Sequence, residues 1–250
     1  MRLFYSNDDR LTFYIVFFSV ISFFAGLLMG QVVPLAAVIV PAASTLGAAF
    51  FGVFGANALD NRRKRKQEIK ENVKAANRVL NALLQRYRAL LNIKQNYILP
   101  YTDGKPFKDR FAFTIEPPPE GIIWEPNIEL VSLDLQFLIG KRYQQIFSDL
   151  HMIETDFHHT WGVFNSRNDY MNNIVYSAMK DAGFMHVEKT LAEYEETIPR
   201  EVYRNNIVLT RSMCNGVEDG LVFIKGFIPK VHAAICEVLP KEVIFNVSFE

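Results

Sequence analysis

The fold is decided by the stretch Leu11–Leu59, which reads LTFYIVFFSVISFFAGLLMGQVVPLAAVIVPAASTLGAAFFGVFGANAL. None of its 49 consecutive residues, from position 11 to position 59, carries a charge. A helix that crosses a membrane needs about 20 apolar residues, each rising about 1.5 Å. The stretch therefore predicts two membrane-spanning helices, at residues 11–33 and 36–57, which form a hairpin. The break between them is marked by residues that weaken a helix or are polar: Gly30, Gln31 and Pro34.

Two other interpretations of this stretch fit less well. A buried hairpin in the core of a soluble protein would rarely avoid charge over such a length. A cleaved signal peptide has a shorter apolar region and a basic start, whereas Asp8 and Asp9 precede this stretch. We therefore expect the segment to remain in the chain and to enter a lipid bilayer.

A run of five basic side chains directly after the second predicted span indicates its orientation. Basic residues beside a span are retained on the cytoplasmic side, so residues 60–250 and the tail 1–10 are predicted to be cytoplasmic, at the cell inner membrane. The run can also be interpreted as a nucleic-acid patch, but its position favours a topology signal that contacts anionic lipid headgroups. Its members are Arg62, Arg63, Lys64, Arg65 and Lys66.

Small residues recur at every fourth position in both predicted spans. Small side chains let helix backbones approach closely in lipid, where burial of apolar surface supplies no net drive for association. The two stripes either face each other within one hairpin or pack between subunits, and we expect a homo-oligomer. The stripes consist of Ser22, Gly26 and Gly30 in the first span and Ser44, Ala48, Gly52 and Ala56 in the second.

The part from residue 60 onwards is predicted to be a helical bundle, which makes the fold class all-α. Apolar residues three and four positions apart predict one long helix to about Tyr97, continuous with the second span. A second apolar edge, at Leu84, Leu91 and Ile98, favours a helix of a local bundle over a coiled coil between subunits. The main seam consists of Ile69, Val73, Ala76, Leu80, Leu83, Tyr87 and Leu90.

Residues 100–127 are predicted to form a long loop because they contain Asp103-Gly104, Pro106 and the Pro117–Pro119 run. Its apolar side chains favour a loop that wraps the domain over one that binds a partner; they are Phe107, Phe111, Phe113, Ile122, Ile123 and Trp124. Further helices are expected at about 127–164, 166–194, 199–213 and 217–239, with a short strand or extended tail at 243–249.

Three of the five histidines lie near carboxylates, which makes them the first candidates for chemistry. On a helix, His151, Glu154 and His158 share one face, and imidazole with carboxylate at this spacing can bind a metal ion. However, the HExxH motif is absent from the sequence, and Glu154 with His158 also makes an ordinary helix pair. We therefore expect no metal, and a cluster of titrating or hydrogen-bonded histidines that includes His159.

The sequence also lacks the phosphate-loop, dinucleotide-binding and nucleophile-elbow motifs, so we expect neither a cofactor nor an enzyme. The two cysteines, Cys214 and Cys236, have no disulfide-framework spacing. After the basic run the chain holds 20 basic and 24 acidic residues, a balance that argues against direct nucleic-acid binding. The predicted spans contain no Asp, Glu, Lys, Arg or His, which disfavours a transporter or an ion-selective channel.

This arrangement of an apolar hairpin, the basic run Arg62–Lys66 and a helical remainder resembles the two-span transmembrane effectors of bacterial antiphage systems, including those encoded beside retrons. The resemblance implies an inner-membrane effector that arrests growth or kills the cell on phage infection. It also implies a reverse transcriptase with its DNA–RNA hybrid as the regulatory partner. The alternative is a membrane-anchored scaffolding protein without toxic activity.

Overall fold

A computed structural model describes residues 20, 33–118, 126, 132–139, 141–184, 189–239 and 244. These residues contain helices and no strand, which confirms the all-α class. The α-helices are α1 (Val33–Ile93), α2 (Leu99–Thr102), α3 (Phe111–Thr114), α4 (Gln144–Tyr170), α5 (Tyr176–Asp181), α6 (Leu191–Thr197) and α7 (Arg200–Val238).

The chain divides into two compact units, Met1–Lys66 and Gln67–Glu250. The first predicted span lies outside the described residues apart from Val20 and Val33, and the second falls within α1. Among the described residues, no helix combines the length and apolar character needed to cross a bilayer.

The core of the second unit joins the apolar stripes of α1, α4 and α7. Leu80, Leu83 and Leu90 of α1 are fully buried and belong to the same cluster as side chains of the other two helices. The main seam of α1 thus packs inside a local bundle, as the second apolar edge predicts. The partners on α4 and α7 include Leu150, Ile153, Phe157, Val217, Phe227 and Val231.

A smaller cluster forms where the predicted loop meets α6 and the start of α7. Phe113 stacks on Tyr194 and Tyr203, with ring centroids 4.5 Å and 5.5 Å away. Phe111 and Phe113 are buried, so the described part of the loop wraps the domain as predicted. The loop also contains the short helices α2 and α3, and its residues Ile122, Ile123 and Trp124 lie outside the described residues.

Several predicted helix boundaries are wrong. Residues 132–138 form a 3-10 helix, and α4 continues through the expected break at 164–166 to Tyr170. A π-helical turn, Met171–Val175, then leads directly into α5. The predicted helices at 199–213 and 217–239 are one helix, α7, with Pro229 inside it. The tail at 243–249 lies outside the described residues apart from Ile244.

Gly216, in the gap between the two helices predicted at 199–213 and 217–239, lies inside α7 at a close contact with α4. A Cβ at this position would lie 2.7 Å from Oγ1 and 3.1 Å from Cγ2 of the buried Thr160 on α4. The glycine is therefore a site of close helix packing rather than a turn signal.

Replacement of Gly216 by alanine is expected to lower the free energy of unfolding by about 1–2 kcal/mol, because the added methyl overpacks the α4–α7 contact. Gly226→Ala is the matched control on the same helix, since nothing lies within 4 Å of its added Cβ. The control should raise the stability by about 0.5–1 kcal/mol through helix propensity. Urea unfolding followed by tryptophan fluorescence measures both, and equal effects of the two substitutions would contradict the close packing at Gly216.

Candidate functional site

The described half of the small-residue stripe lies on an exposed face of α1. Ser44, Ala48, Gly52 and Ala56 are all exposed, and a Cβ added to Gly52 would meet no atom within 4 Å. The other half, at Ser22, Gly26 and Gly30, lies outside the described residues. The described stripe is thus exposed on α1, while the pairing of the two stripes stays a prediction.

Large apolar side chains beside this stripe are exposed as well. Phe50 is 56% exposed, Val53 is 60% exposed and Leu59 is 58% exposed. Phe51 and Phe54 are also exposed. A contiguous apolar surface of this kind is typical of a lipid or protein contact.

The basic run follows on the same helix, and all five of its side chains are exposed. Lys64 forms an ion pair with Asp60, one helical turn earlier, at 2.9 Å between Nζ and Oδ2. The hydrogen bond to Asp60 and the charge of that carboxylate raise the pKa of Lys64. The basic run therefore presents a dense positive charge directly after the apolar surface.

The structure places Glu154 beside an arginine that sequence reasoning missed. Arg86 of α1 is buried, and its Nε and NH2 atoms lie 2.6 Å and 2.7 Å from the two carboxylate oxygens of Glu154. The guanidinium also lies over the Phe157 ring, 5.4 Å from its centroid. The Nε2 atom of His158 lies 3.2 Å from the same carboxylate. His151, one turn before Glu154 on α4, is exposed.

This ion pair is partly buried, and removal of Glu154, which leaves a buried charge on Arg86, is expected to cost about 3–5 kcal/mol. Both oxygens of Glu154 lie within 2.7 Å of the Arg86 guanidinium. Within the described residues, no group of three or more metal-ligating side chains converges. Glu154 and His158 therefore belong to an ion-pair network with Arg86 on the α1–α4 interface, and His151 is exposed on the same helix.

A second buried arginine forms the polar centre of the bundle. Arg167 of α4 is completely buried, and the partners that receive its hydrogen bonds are uncharged. Its NH2 donates to the carbonyl oxygens of Ala112, at 3.3 Å, and of Ile115. Its Nε donates to the Thr210 hydroxyl at 3.2 Å. Burial lowers the pKa of Arg167 to about 10, so the guanidinium stays charged at neutral pH.

Asn206 of α7 completes the support of the loop. Its Nδ2 donates to the Ala112 carbonyl at 2.7 Å, so that oxygen accepts from both α4 and α7. Its Oδ1 is buried and has no hydrogen-bond partner in the described part of the chain. Arg167 and Asn206 thus fasten the segment around α3 to the two long helices of the bundle.

Two half-buried tyrosines surround this centre, and each follows a π-helical turn. Tyr101 comes shortly after the turn Lys94–Ile98, and Tyr176 directly follows Met171–Val175. Tyr101 donates to Glu116 at 3.4 Å. Burial and the Glu116 carboxylate raise the pKa of both tyrosines, although Arg167 opposes the shift. Single π-turns of this kind are frequent at functional sites.

A cavity of about 380 Å³ opens beside the polar centre, between the end of α1, the 102–107 loop and the middle of α7. Cys214 lines it, together with the cations Lys94, Lys105 and Arg211. Burial raises the pKa of the Cys214 thiol to about 11. The cavity is a candidate site for a small molecule.

The Cys214 thiol is expected to react about 100-fold more slowly with a disulfide reagent at pH 8 in the folded protein than in urea. The reason is that a pKa raised from 9.0 to about 11 lowers the thiolate fraction by about that factor. Ionisation should also destabilise the fold as the pH rises from about 9 through about 11, because the folded form holds the proton more tightly.

The measurement uses Cys236→Ser, which leaves Cys214 as the reactive thiol, since the chain has two cysteines. Cys214→Ser is the matched control and reports the half-buried Cys236. A folded-state rate for Cys214 equal to that in urea would contradict the burial of this thiol.

Comparisons of the chain with protein-family models, with curated proteins and with solved structures gave no match. The function is therefore argued from the residues.

Proposed function

We propose that this chain is a membrane effector of a bacterial antiphage system. In this proposal the residues 11–33 and 36–57 form a two-span hairpin in the inner membrane, with both termini in the cytoplasm. The hairpin oligomerises and perturbs the membrane, and the helical bundle controls it. The two spans rest on the charge-free sequence, and the antiphage role rests on the resemblance in arrangement.

The observation that carries the membrane part is the exposed apolar surface at Phe50, Val53 and Leu59. Exposing such side chains to water is unfavourable by about 25 cal/mol for each Å² of apolar surface. A bilayer removes this surface from water without requiring a protein partner. The adjacent Arg62–Lys66 run suits anionic headgroups, where each basic residue contributes about 1 kcal/mol.

The small-residue stripe supports assembly within the membrane. Ser44, Ala48, Gly52 and Ala56 leave an exposed surface along which a second helix can approach closely. In this proposal a single hairpin only anchors the chain, and the assembly of several hairpins perturbs the bilayer.

The bundle supports a regulatory role because it holds one end of α1. Residues from Ala76 to Ile93 are part of the same core as α4 and α7. The resemblance names the controlling partner as a reverse transcriptase with its DNA–RNA hybrid. In that arrangement the partner binds the bundle and keeps the hairpin inactive until infection.

The test separates an effector from an anchored scaffold. The double variant Gly26→Leu with Gly52→Leu places bulky side chains in both stripes, and we expect it to abolish toxicity while the protein stays in the membrane fraction. Gly55→Leu is the matched control, since Gly55 lies beside the stripe and its added Cβ also meets no atom within 4 Å. A parent chain that is not toxic would favour the scaffold, and a double variant as toxic as the parent would contradict assembly through the stripes.

A further inference from the structure

The cavity beside Cys214 is lined by basic side chains from separate parts of the fold. Lys94 comes from the π-helical turn after α1, Lys105 from the loop and Arg211 from α7. Glu218 is the acidic residue that lines the cavity. Three cations and one carboxylate line the cavity, and two further carboxylates, Asp109 and Asp103, pair with its cations.

Each cation has an exposed partner in the structure. Lys94 lies 3.0 Å from Glu218, and Arg211 pairs with Asp109. Lys105 lies 3.8 Å from Asp103. Exposed ion pairs of this kind contribute about 0–1 kcal/mol, so an anion that contacts two cations at once can displace them at small cost. The cavity is therefore suited to a ligand that carries at least two negative charges.

One wall carries an aromatic side chain. The Phe107 ring lines the cavity, and the Arg211 guanidinium lies 5.9 Å from its centroid. A ring stacked on Phe107 would thus lie close to the positive charge that holds its anionic group. Stacking on an aromatic side chain contributes about 1–3 kcal/mol for a nucleobase.

The loop that carries Phe107 is held in place by its backbone. Asp103 and Gly104 both have a positive φ, 52° and 69°, and the Lys105 amide donates to the Thr102 carbonyl at 2.9 Å. Thr102 is buried and its hydroxyl donates to the Ile98 carbonyl at 3.1 Å. The wall is consequently preorganised, which lowers the cost of binding.

We propose that this cavity binds a phosphorylated small molecule with a flat ring, of the size of a nucleoside monophosphate. Lys94, Lys105 and Arg211 contact its phosphate, and Phe107 stacks on its ring. A volume of about 380 Å³ lies at the lower end of the range for small-molecule sites. This inference stands apart from the proposed membrane activity, because binding can be measured whether or not the chain perturbs a bilayer.

Equilibrium dialysis of the full-length protein in detergent tests the proposal, with AMP, GMP, CMP and UMP as probes and adenosine as the uncharged comparison. We expect at least one of the four nucleotides to bind saturably, with one molecule per chain. The nucleoside that corresponds to this nucleotide, adenosine in the case of AMP, should bind at least about 10-fold more weakly. Raising the salt concentration should weaken nucleotide binding.

Arg211→Gln should weaken nucleotide binding about 10-fold or more and leave nucleoside binding unchanged, since a charge-assisted contact is lost. Arg204→Gln is the matched control, an exposed arginine two turns earlier on α7 that does not line the cavity. Phe107→Leu should weaken nucleotide and nucleoside alike. The proposal is overturned if none of the four nucleotides binds saturably below about 1 mM, or if Arg211→Gln binds as tightly as Arg204→Gln.

Discussion

Replacement of Arg167 by methionine is expected to lower the free energy of unfolding by about 2–4 kcal/mol. The substitution keeps an unbranched apolar stem but removes the guanidinium donor from the Ile115 carbonyl and the Thr210 hydroxyl, while the Ala112 carbonyl still accepts from Asn206. A buried polar group that loses its partner costs about 1–3 kcal/mol. Removal of a desolvated charge offsets part of this loss, which is why the expected effect is smaller than the sum over the groups that lose a hydrogen bond.

Arg167→Lys is expected to be at least as destabilising as Arg167→Met. A lysine ammonium keeps the buried charge but cannot reproduce the planar geometry that reaches both carbonyls and the Thr210 hydroxyl. Arg88→Met is the control, because Arg88 is exposed on α1, and it should change the stability by no more than about 0.5 kcal/mol. Urea unfolding of the full-length protein in detergent measures all three. An unchanged midpoint for Arg167→Met would show that this arginine does not hold the loop.

Two lysines near the middle of the second predicted span are expected to expel it from the bilayer. Ala48→Lys with Ala49→Lys places two charges where each costs about 2.5–3.5 kcal/mol to insert. The combined cost of about 5–7 kcal/mol exceeds what a moderately apolar segment gains on insertion. The segment should then face water.

A cysteine at Ser44, in a chain whose Cys214 and Cys236 are serines, reports this change. It should react at least about 10-fold faster with a water-soluble maleimide in the double-lysine variant than in the parent. Ala48→Leu with Ala49→Leu is the matched control and should keep the cysteine protected. Rapid labelling in the parent itself would contradict a span at residues 36–57.

Apolar periodicity was sufficient to predict the all-α class and the bundle. The seam of α1 could be recognised because Leu80, Leu83 and Leu90 follow helical spacing and are buried together. Helix ends were predicted less well, because the expected break at Asn215-Gly216 depends on a distant residue, Thr160, which no local pattern reveals.

The polar centre was missed although the sequence contained a signal for it. Arg167 follows Phe164 by three residues and precedes Met171 by four, so it lies on the buried stripe of α4. Arg86 occupies the corresponding place on α1, between Leu83 and Leu90. A charged residue on an apolar stripe predicts a buried partner, but the identity of that partner depends on tertiary packing.

For the histidine cluster, the sequence predicted a local contact but not the role of the carboxylate in it. The helical spacing correctly brings Glu154 next to His158, at 3.2 Å. The role of that carboxylate depends on Arg86, which is 68 positions earlier in the chain. The cavity at Cys214 could not be predicted from the sequence either, because its walls come from three separate segments.

The membrane potential of bacteria that express the chain alone tests the central claim most directly. With no controlling partner present, a voltage-sensitive dye should report depolarisation soon after induction and before cells lose viability. The Ala48→Lys, Ala49→Lys variant, expressed to the same level, should leave the potential unchanged. If the parent chain causes no depolarisation when expressed alone, and none on phage infection beside its genomic neighbours, the chain is not a membrane effector.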